Sequence, residues 1–209
     1  MRAAFEIAGR KIAPGSRALV DLQMPRLSSH TELSMPVHVI HGRRDGPTLF
    51  VCAALHGDEL NGVEIIRRLR NHRALNRLKG TLVMIPVVNV FGFVGLSRYL
   101  PDRRDLNRSF PGSSKGSMAA RLAHLLMTEV VPLCSHVVDL HTGAVNRENL
   151  PQVRLTRGHD DLAALGSAFG APLTLLSNTR EGSLREQAER AGVDVLLYEA
   201  GEGLRFDEW

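Results

Sequence analysis

The chain has 209 residues, of which 44% are hydrophobic and 23% are charged, the balance of an ordinary globular protein. The net charge of +4 is modest and aromatic residues make up only 5%, so a nucleic-acid-binding surface is not expected. The sequence has no apolar run long enough to span a bilayer, and its first residues lack the apolar core of a signal peptide. Its two cysteines, Cys52 and Cys134, are too few for a disulfide framework. We predict a cytoplasmic protein with neither a nucleic-acid nor a membrane partner, and the sequence leaves a homo-oligomer open.

Apolar runs in the first half of the chain predict strands at residues 19–24, 35–40, 48–55 and 81–85. A helix is predicted over residues 59–71, where apolar side chains recur at helical spacing at Leu60, Val63, Ile66 and Leu69. Residues 90–116 are rich in Gly, Pro, Ser and Arg and predict one long loop. Loops of that length inside a folded domain are usually functional or disordered.

The second half continues the alternation of strands and helices. Ser117 is a capping residue for a predicted helix that ends near residue 130. Further strands are predicted at residues 136–140, near 153 and 173, and at 193–198, with helices over 160–169 and 183–191. This order predicts an α/β fold with a mixed, mostly parallel sheet and helices on both faces.

The segment HGDELNG, residues 56–62, follows directly on the predicted strand 48–55. Its turn places the side chains of His56 and Glu59 at the carboxyl end of that strand, where we expect them to be exposed. An imidazole and a carboxylate this close can ligate one zinc ion, which leaves a third protein ligand to be found. Without a third ligand, such a pair is typical of a solvated surface.

His141 is the third candidate, because it ends the strand 136–140, and Glu199 has the equivalent place on the last strand. Ligands bind at the carboxyl ends of strands in open α/β sheets. Two histidines and one glutamate make a catalytic zinc set with an open position, and Glu199 is then the candidate general base. Asp139 shares a face with His141; it either orients the imidazole or is a buried carboxylate satisfied by backbone N–H groups.

The predicted loop contains candidate substrate-binding residues. Amide hydrolysis needs groups that stabilise an oxyanion and that grip a substrate carboxylate, and arginine suits both tasks. Arg98, Asn107 and Arg108 are the candidates. For any one loop arginine the alternative is a surface charge or an ion pair, and we assign Arg103 and Arg104 to that alternative.

Four segments occur together and in order: HGDELNG, DLNR at residues 105–108, DLHTG at 139–143 and YEAGE at 198–202. Together they resemble the succinylglutamate desuccinylase/aspartoacylase family of zinc deacylases, relatives of the zinc carboxypeptidases, over residues 35–209. The resemblance implies a carboxypeptidase-like fold with one zinc ion per chain, bound by His56, Glu59 and His141. It implies Glu199 as the general base and Arg98 as the group that polarises the scissile carbonyl. Substrate carboxylates would be held by Asn107 and Arg108, with a second anion contact from Arg185.

Residues 1–209 are interpreted as a single zinc-hydrolase catalytic domain, with residues 1–34 as an N-terminal extension that contributes strands. Members of the resembled family usually continue into a smaller β-rich region that helps to cover the site. This chain ends ten residues after Glu199, so we expect the C-terminal β region to be absent and the chain to be truncated.

The leading hypothesis is a zinc-dependent deacylase that cleaves the amide bond of an N-acyl amino acid or a similar small carboxylate-bearing amide. One alternative is a carboxypeptidase-like enzyme that trims short peptides with the same residues. A second alternative is a metal-binding but inactive domain, made so by the missing C-terminal region.

Overall fold

A computed structural model describes residues 2–26, 29–158 and 160–208, without the side chains of residues 160 and 161. Within these ranges, a small hairpin of β1 (Phe5–Ile7) and β2 (Arg10–Ile12) precedes one large sheet. The strands of the sheet are β3 (Ser16–Gln23), β4 (Ser34–His41), β5 (Arg44–Ala53), β6 (Lys79–Ile85), β7 (His136–His141), β8 (Asn149–Leu155), β9 (Leu173–Leu176) and β10 (Asp194–Gly201). The α-helices are α1 (Asn61–Leu69), α2 (Val90–Val94), α3 (Met118–Glu129), α4 (Asp160–Phe169) and α5 (Leu184–Arg190).

The large sheet has the strand order β3-β4-β6-β5-β7-β10-β8-β9. Strands β6, β5, β7 and β10 run parallel to one another, as do β8 and β9. The antiparallel pairs are β3 with β4, β4 with β6, and β10 with β8. The predicted mixed, mostly parallel sheet is confirmed, and it brings the carboxyl ends of β5, β7 and β10 side by side.

Alternate strand residues fill two apolar cores, one on each face of the sheet. In β5, Phe50 belongs to the core that includes Leu126 of α3 and Leu184 of α5. The next residue, Val51, belongs to the opposite core, which includes Ile66 of α1. Helices therefore cover both faces, and the one-residue alternation within β5 explains why its apolar run is continuous.

The prediction of one continuous loop over residues 90–116 is wrong. The segment contains α2 and a 3-10 turn at Leu106–Arg108. Asn89 caps α2, since its Oδ1 accepts a hydrogen bond from the Gly92 N–H at 2.8 Å. Asp105 caps the 3-10 turn by accepting from the Asn107 N–H at 2.8 Å. Such caps determine where helical elements of about one turn begin, and these elements are too short for apolar residues to recur at helical spacing.

Other predicted elements lie within a few residues of their observed bounds. The Oγ of Ser117 accepts a hydrogen bond from the Ala120 N–H at 3.2 Å and begins α3 as predicted. Cys52 and Cys134 are both buried free thiols. No helix in the described part of the chain is long and apolar enough to cross a membrane.

Candidate metal centre and its cavity

The turn after β5 is held by close backbone approaches. A Cβ atom on Gly57 would collide with the backbone of Gly92, so only glycine allows α2 to pack against this turn. The Glu59 N–H donates to the His56 carbonyl at 3.1 Å. The packing leaves His56 only 3% exposed and Glu59 only 2% exposed, so the expectation that the turn exposes them is wrong. The covering residues come from distant segments that the local pattern does not reveal.

Gly62 fixes α1 against the sheet. A Cβ atom at this position would lie 2.7 Å from the Cβ atoms of both Ala53 and Leu140, which belong to β5 and β7. Gly62, the last residue of HGDELNG, is the second residue of α1, and its missing side chain lets the helix touch both strands.

We expect Gly62→Ala to lower the free energy of unfolding by about 1–3 kcal/mol, the usual cost of overpacking a core. This cost outweighs the gain of up to about 1 kcal/mol that alanine offers over glycine in a helix. Denaturant unfolding measures the change. Gly95→Ala is the matched control, because a Cβ there meets no atom closer than 3.7 Å. Equal stability of Gly62→Ala and the parent would contradict the packing described.

His56, Glu59 and His141 form one buried cluster. The Nδ1 atom of His56 lies 2.7 Å from Oε1 of Glu59, and the Nδ1 atom of His141 lies 2.8 Å from Oε2. One potential ligand atom from each residue lies within 4.8 Å of the others. Two imidazole nitrogens and one carboxylate oxygen suit a divalent transition metal and leave a further coordination position for another ligand. The residues present therefore fit a metal ion.

Each histidine turns its other ring nitrogen towards a second carboxylate. The Nε2 atom of His56 lies 3.2 Å from Oδ1 of Asp105, and the Nε2 atom of His141 lies 2.8 Å from Oδ2 of Asp139. Metal-binding histidines commonly have such a carboxylate behind them, which fixes the ring and leaves the opposite nitrogen for the ion. For Asp139, the geometry favours the hypothesis that it orients His141 over the alternative of a carboxylate satisfied by backbone N–H groups. Asp105 was not predicted in this role, because its partner is distant in sequence.

The electrostatics of the cluster are those of a compact group of opposite charges. Burial would raise the pKa of Glu59, but the two imidazoles lower it to about 2. Burial would likewise lower the pKa of each imidazole, but the facing carboxylates raise the pKa of His56 and raise that of His141 well above its ordinary value. A metal ion needs unprotonated imidazole nitrogens, so its binding here is coupled to proton release.

Arg98 reaches the same cluster from the segment that follows α2. Its Nη1 atom lies 3.5 Å from Oε1 of Glu59, and its Nη2 atom donates to Oδ2 of Asp105 at 3.0 Å. Against the effect of burial, His56 and Arg98 hold the pKa of Asp105 well below its usual range. Arg98 therefore lies beside the candidate metal position, as the oxyanion role requires, while Arg103 and Arg104 are exposed.

Glu199 lies on β10 directly beside His141 in the parallel register. Burial raises the pKa of its carboxyl group, although His141 and Arg154 oppose the rise. Its Oε2 atom accepts hydrogen bonds from Asn149 and, at 3.3 Å, from Nη2 of Arg154. A carboxylate with a raised pKa is better matched to accepting and returning a proton near neutral pH.

A cavity of about 760 Å³ opens in front of the cluster. Arginines dominate its charged lining: Arg98, Arg108, Arg147, Arg154, Arg180 and Arg185, against Glu59 and Glu199. Asn107 is buried, and its Oδ1 accepts from the Leu184 N–H at 2.9 Å, so its Nδ2 group is the donor that it can offer to a ligand. Arg108 is exposed at the cavity, and its Nη1 donates to the Asn107 carbonyl.

Arg185 is only 5% exposed although it carries a charge. Its Nη2 donates to Oγ of Ser177 at 3.1 Å and to the Asn178 carbonyl at 2.7 Å, while its Nη1 is buried without a hydrogen-bond partner among the described residues. Burial lowers the pKa of this guanidinium. A buried, unpaired donor in the lining of a cavity is suited to an anionic ligand.

The geometry therefore defines an α/β protein with a candidate metal centre at the carboxyl edge of its sheet and a cavity lined by arginines. Residues 45–209 match the succinylglutamate desuccinylase/aspartoacylase catalytic domain. The chain belongs to this family, and the resemblance drawn from its four sequence segments is confirmed.

The chain is 29% identical over 177 residues to the N-alpha-acetyl-L-2,4-diaminobutyric acid deacetylase of Halomonas elongata, a match that covers 81% of this chain and 52% of that protein. Its fold matches a succinylglutamate desuccinylase/aspartoacylase from Rhodobacter sphaeroides with a TM-score of 0.82 and 28% identity, over 91% of this chain and 60% of that one. It also matches an aspartoacylase family protein from Mesorhizobium loti, with a TM-score of 0.81 and 27% identity, over 95% of this chain and 65% of that one. The chain thus spans about half to two-thirds of the length of these relatives.

Proposed function

We propose that this chain carries the site of a zinc-dependent deacylase, which cleaves the amide bond of an N-acyl amino acid or a similar small carboxylate-bearing amide. The convergence of one potential ligand atom from each of His56, Glu59 and His141 within 4.8 Å, beside Glu199 and Arg98, carries the proposal. Family membership supports it, since the Halomonas elongata relative is a deacetylase of an N-acetyl amino acid.

One zinc ion per chain would be held by His56, Glu59 and His141. Zinc in such a site supplies a Lewis acid and lowers the pKa of a water molecule. Asp105 and Asp139 would keep the two imidazoles oriented, each from the side opposite the ion.

The remaining steps belong to the chain's own side chains. Glu199 takes a proton from the attacking water and returns it to the leaving amine, so one carboxyl group serves both halves of the reaction. The Arg98 guanidinium stabilises the negative charge that develops on the carbonyl oxygen. Arg108 and the amide of Asn107 hold a substrate carboxylate, and Arg185 offers a second anion contact.

The experiment that tests the proposal is a screen of zinc-loaded protein against N-acyl amino acids in which the acyl group and the amino acid vary independently. Dipeptides form a second arm of the screen, because the same residues suit a carboxypeptidase-like enzyme. Release of free amino acid from the N-acyl compounds supports the deacylase. Preferential cleavage of dipeptides would replace it with a peptidase, and turnover of neither class by protein that has bound zinc would favour an inactive metal-binding domain.

Arg108→Lys is expected to raise KM about tenfold, which corresponds to ~1.4 kcal/mol of binding, because lysine keeps the charge but loses the planar fork. Steady-state kinetics measure the change. Arg104→Lys is the matched control, since Arg104 lies in the same segment and is exposed. Neutral amide analogues of the substrate should lose comparably in the parent protein. Equal turnover of the carboxylate substrate and its neutral amide analogue would show that Arg108 does not bind the carboxylate.

A further inference from the structure

Strand β8 carries an irregularity opposite Glu199. In the antiparallel pair of β10 and β8, Glu199 is opposite Gln152, whereas Gly201 is opposite Asn149. Two steps along β10 therefore correspond to three steps along β8, which is the definition of a β-bulge with its extra residue on β8. Pro151 lies within the bulge, and proline occurs at such positions because it has no N–H to give to the ladder.

The bulge changes which side chain faces Glu199. In a regular strand, residues two apart share a face, so Leu150 would lie on the face of Gln152 and Asn149 on the other face. The extra residue shifts the alternation by one and turns Asn149 to the same side as Arg154 and Glu199. Bulges beside functional sites commonly redirect a side chain in this way.

Asn149 and Arg154 both contact a single atom of Glu199. Asn149 Nδ2 donates to Oε2 of Glu199, and Arg154 Nη2 donates to the same oxygen at 3.3 Å. Among the described residues, the side chains of Asn149 and Arg154 donate no other hydrogen bond, and Oε1 of Glu199 accepts none. Two donors from one strand thus hold one carboxylate oxygen of Glu199, a residue that lines the cavity, and leave the other oxygen without a donor in the described part of the chain.

We propose that Asn149 and Arg154 are positioning residues, which hold Glu199 in a single orientation with its Oε1 atom available for proton transfer. The proposal rests on the proposed role of Glu199 as the general base. A glutamate side chain has several staggered conformations, and a base that is free to sample them spends only part of its time in reach of the water. Neither residue belongs to the four segments that identify the family, so this contact is a separate feature of the chain.

Arg154→Gln and Asn149→Ala are each expected to lower kcat by about 10- to 100-fold, the scale of a small misplacement of a reacting group, with little change in KM. Arg154→Lys should restore part of kcat, because it returns a cation beside Oε2. Asn149→Ser serves as the second variant if Asn149→Ala does not fold. Arg157→Gln is the control for the loss of one arginine, since Arg157 is exposed just beyond the end of β8 and does not line the cavity.

The decisive kinetic comparison adds each substitution to Glu199→Gln. If Asn149 and Arg154 act through Glu199, their effects should vanish in that background, because residues that act as a unit are strongly non-additive. The same fall in kcat in both backgrounds would overturn the inference. So would a rise in KM at constant kcat, which would make Arg154 a substrate-binding residue.

A crystal structure of the zinc-loaded Asn149→Ala, Arg154→Gln double variant gives a readout that does not depend on turnover. Glu199 should occupy one conformation in the parent and more than one in the double variant. One unchanged conformation in both would overturn the inference even if no substrate had been found, whereas failure of the deacylase proposal would appear as inactivity of the parent.

Discussion

His141→Ala is expected to lower zinc affinity by well over ~100-fold. The loss of a group that merely orients a metal-binding histidine costs about 10–100-fold, and here a ligand itself is removed from a set of only three. The cluster would retain His56 and Glu59, whose two ligand atoms do not enclose an ion. Elemental analysis after dialysis against a chelator of graded concentration measures the change, and the parent should retain about one zinc per chain, as its three-residue ligand set implies.

His136→Ala is the matched control, because His136 lies at the opposite end of the same strand and is only partly buried. Asp139→Asn should give an intermediate result, since it keeps the shape but weakens the contact behind His141. Unchanged zinc content in His141→Ala would remove this residue from the metal site and with it the proposed chemistry.

The sequence could predict the site where the chemistry follows from position along a strand. His141 ends β7 and Glu199 lies near the end of β10, and their parallel register makes them neighbours. The turn after β5 brings His56 and Glu59 to the same edge. Apolar runs predict where strands end, and parallel strands place their carboxyl ends together, so the candidate ligand set followed from the strand ends and the turn directly after β5.

The partners of these residues could not be read in the same way. Asp105 reaches His56 across 49 positions, from a turn that is too short to have a pattern. Asn149 reaches Glu199 only because of the register shift in β8. A single sequence does not show which strands will pair or in which register. The burial of His56 and Glu59 depends on the same long-range packing, which is why the sequence indicated exposure.

The arginines of the cavity show a further limit of prediction from composition. Composition gave a modest net charge for the whole chain, yet six arginines converge on one cavity that contains two glutamates. They come from the segment after α2, the loop before β8, β8 itself, the segment before α5 and α5. Folding can concentrate charges from segments that are far apart in the sequence, so a local anion site is compatible with a modest net charge.

Glu199→Gln is expected to lower kcat by about 10²–10⁴-fold, the range that a general base contributes. The carboxamide has nearly the shape of the carboxylate and can still meet the side chains of β8, but it cannot take a proton from water. Because Glu199 is not among the three residues whose ligand atoms converge, zinc content should stay at the parent level. Rate and zinc content are therefore measured on the same sample.

Glu148→Gln makes the same chemical change at an exposed position in the loop before β8 and serves as the control. It should leave both the rate and the zinc content near the parent values, since Glu148 does not line the cavity. The two measurements on Glu199→Gln separate three roles for the residue. A fall in kcat with zinc retained supports the general base, because a proton acceptor acts without holding the ion. Loss of zinc together with activity would make Glu199 a metal ligand, and retention of both would exclude it from the reaction.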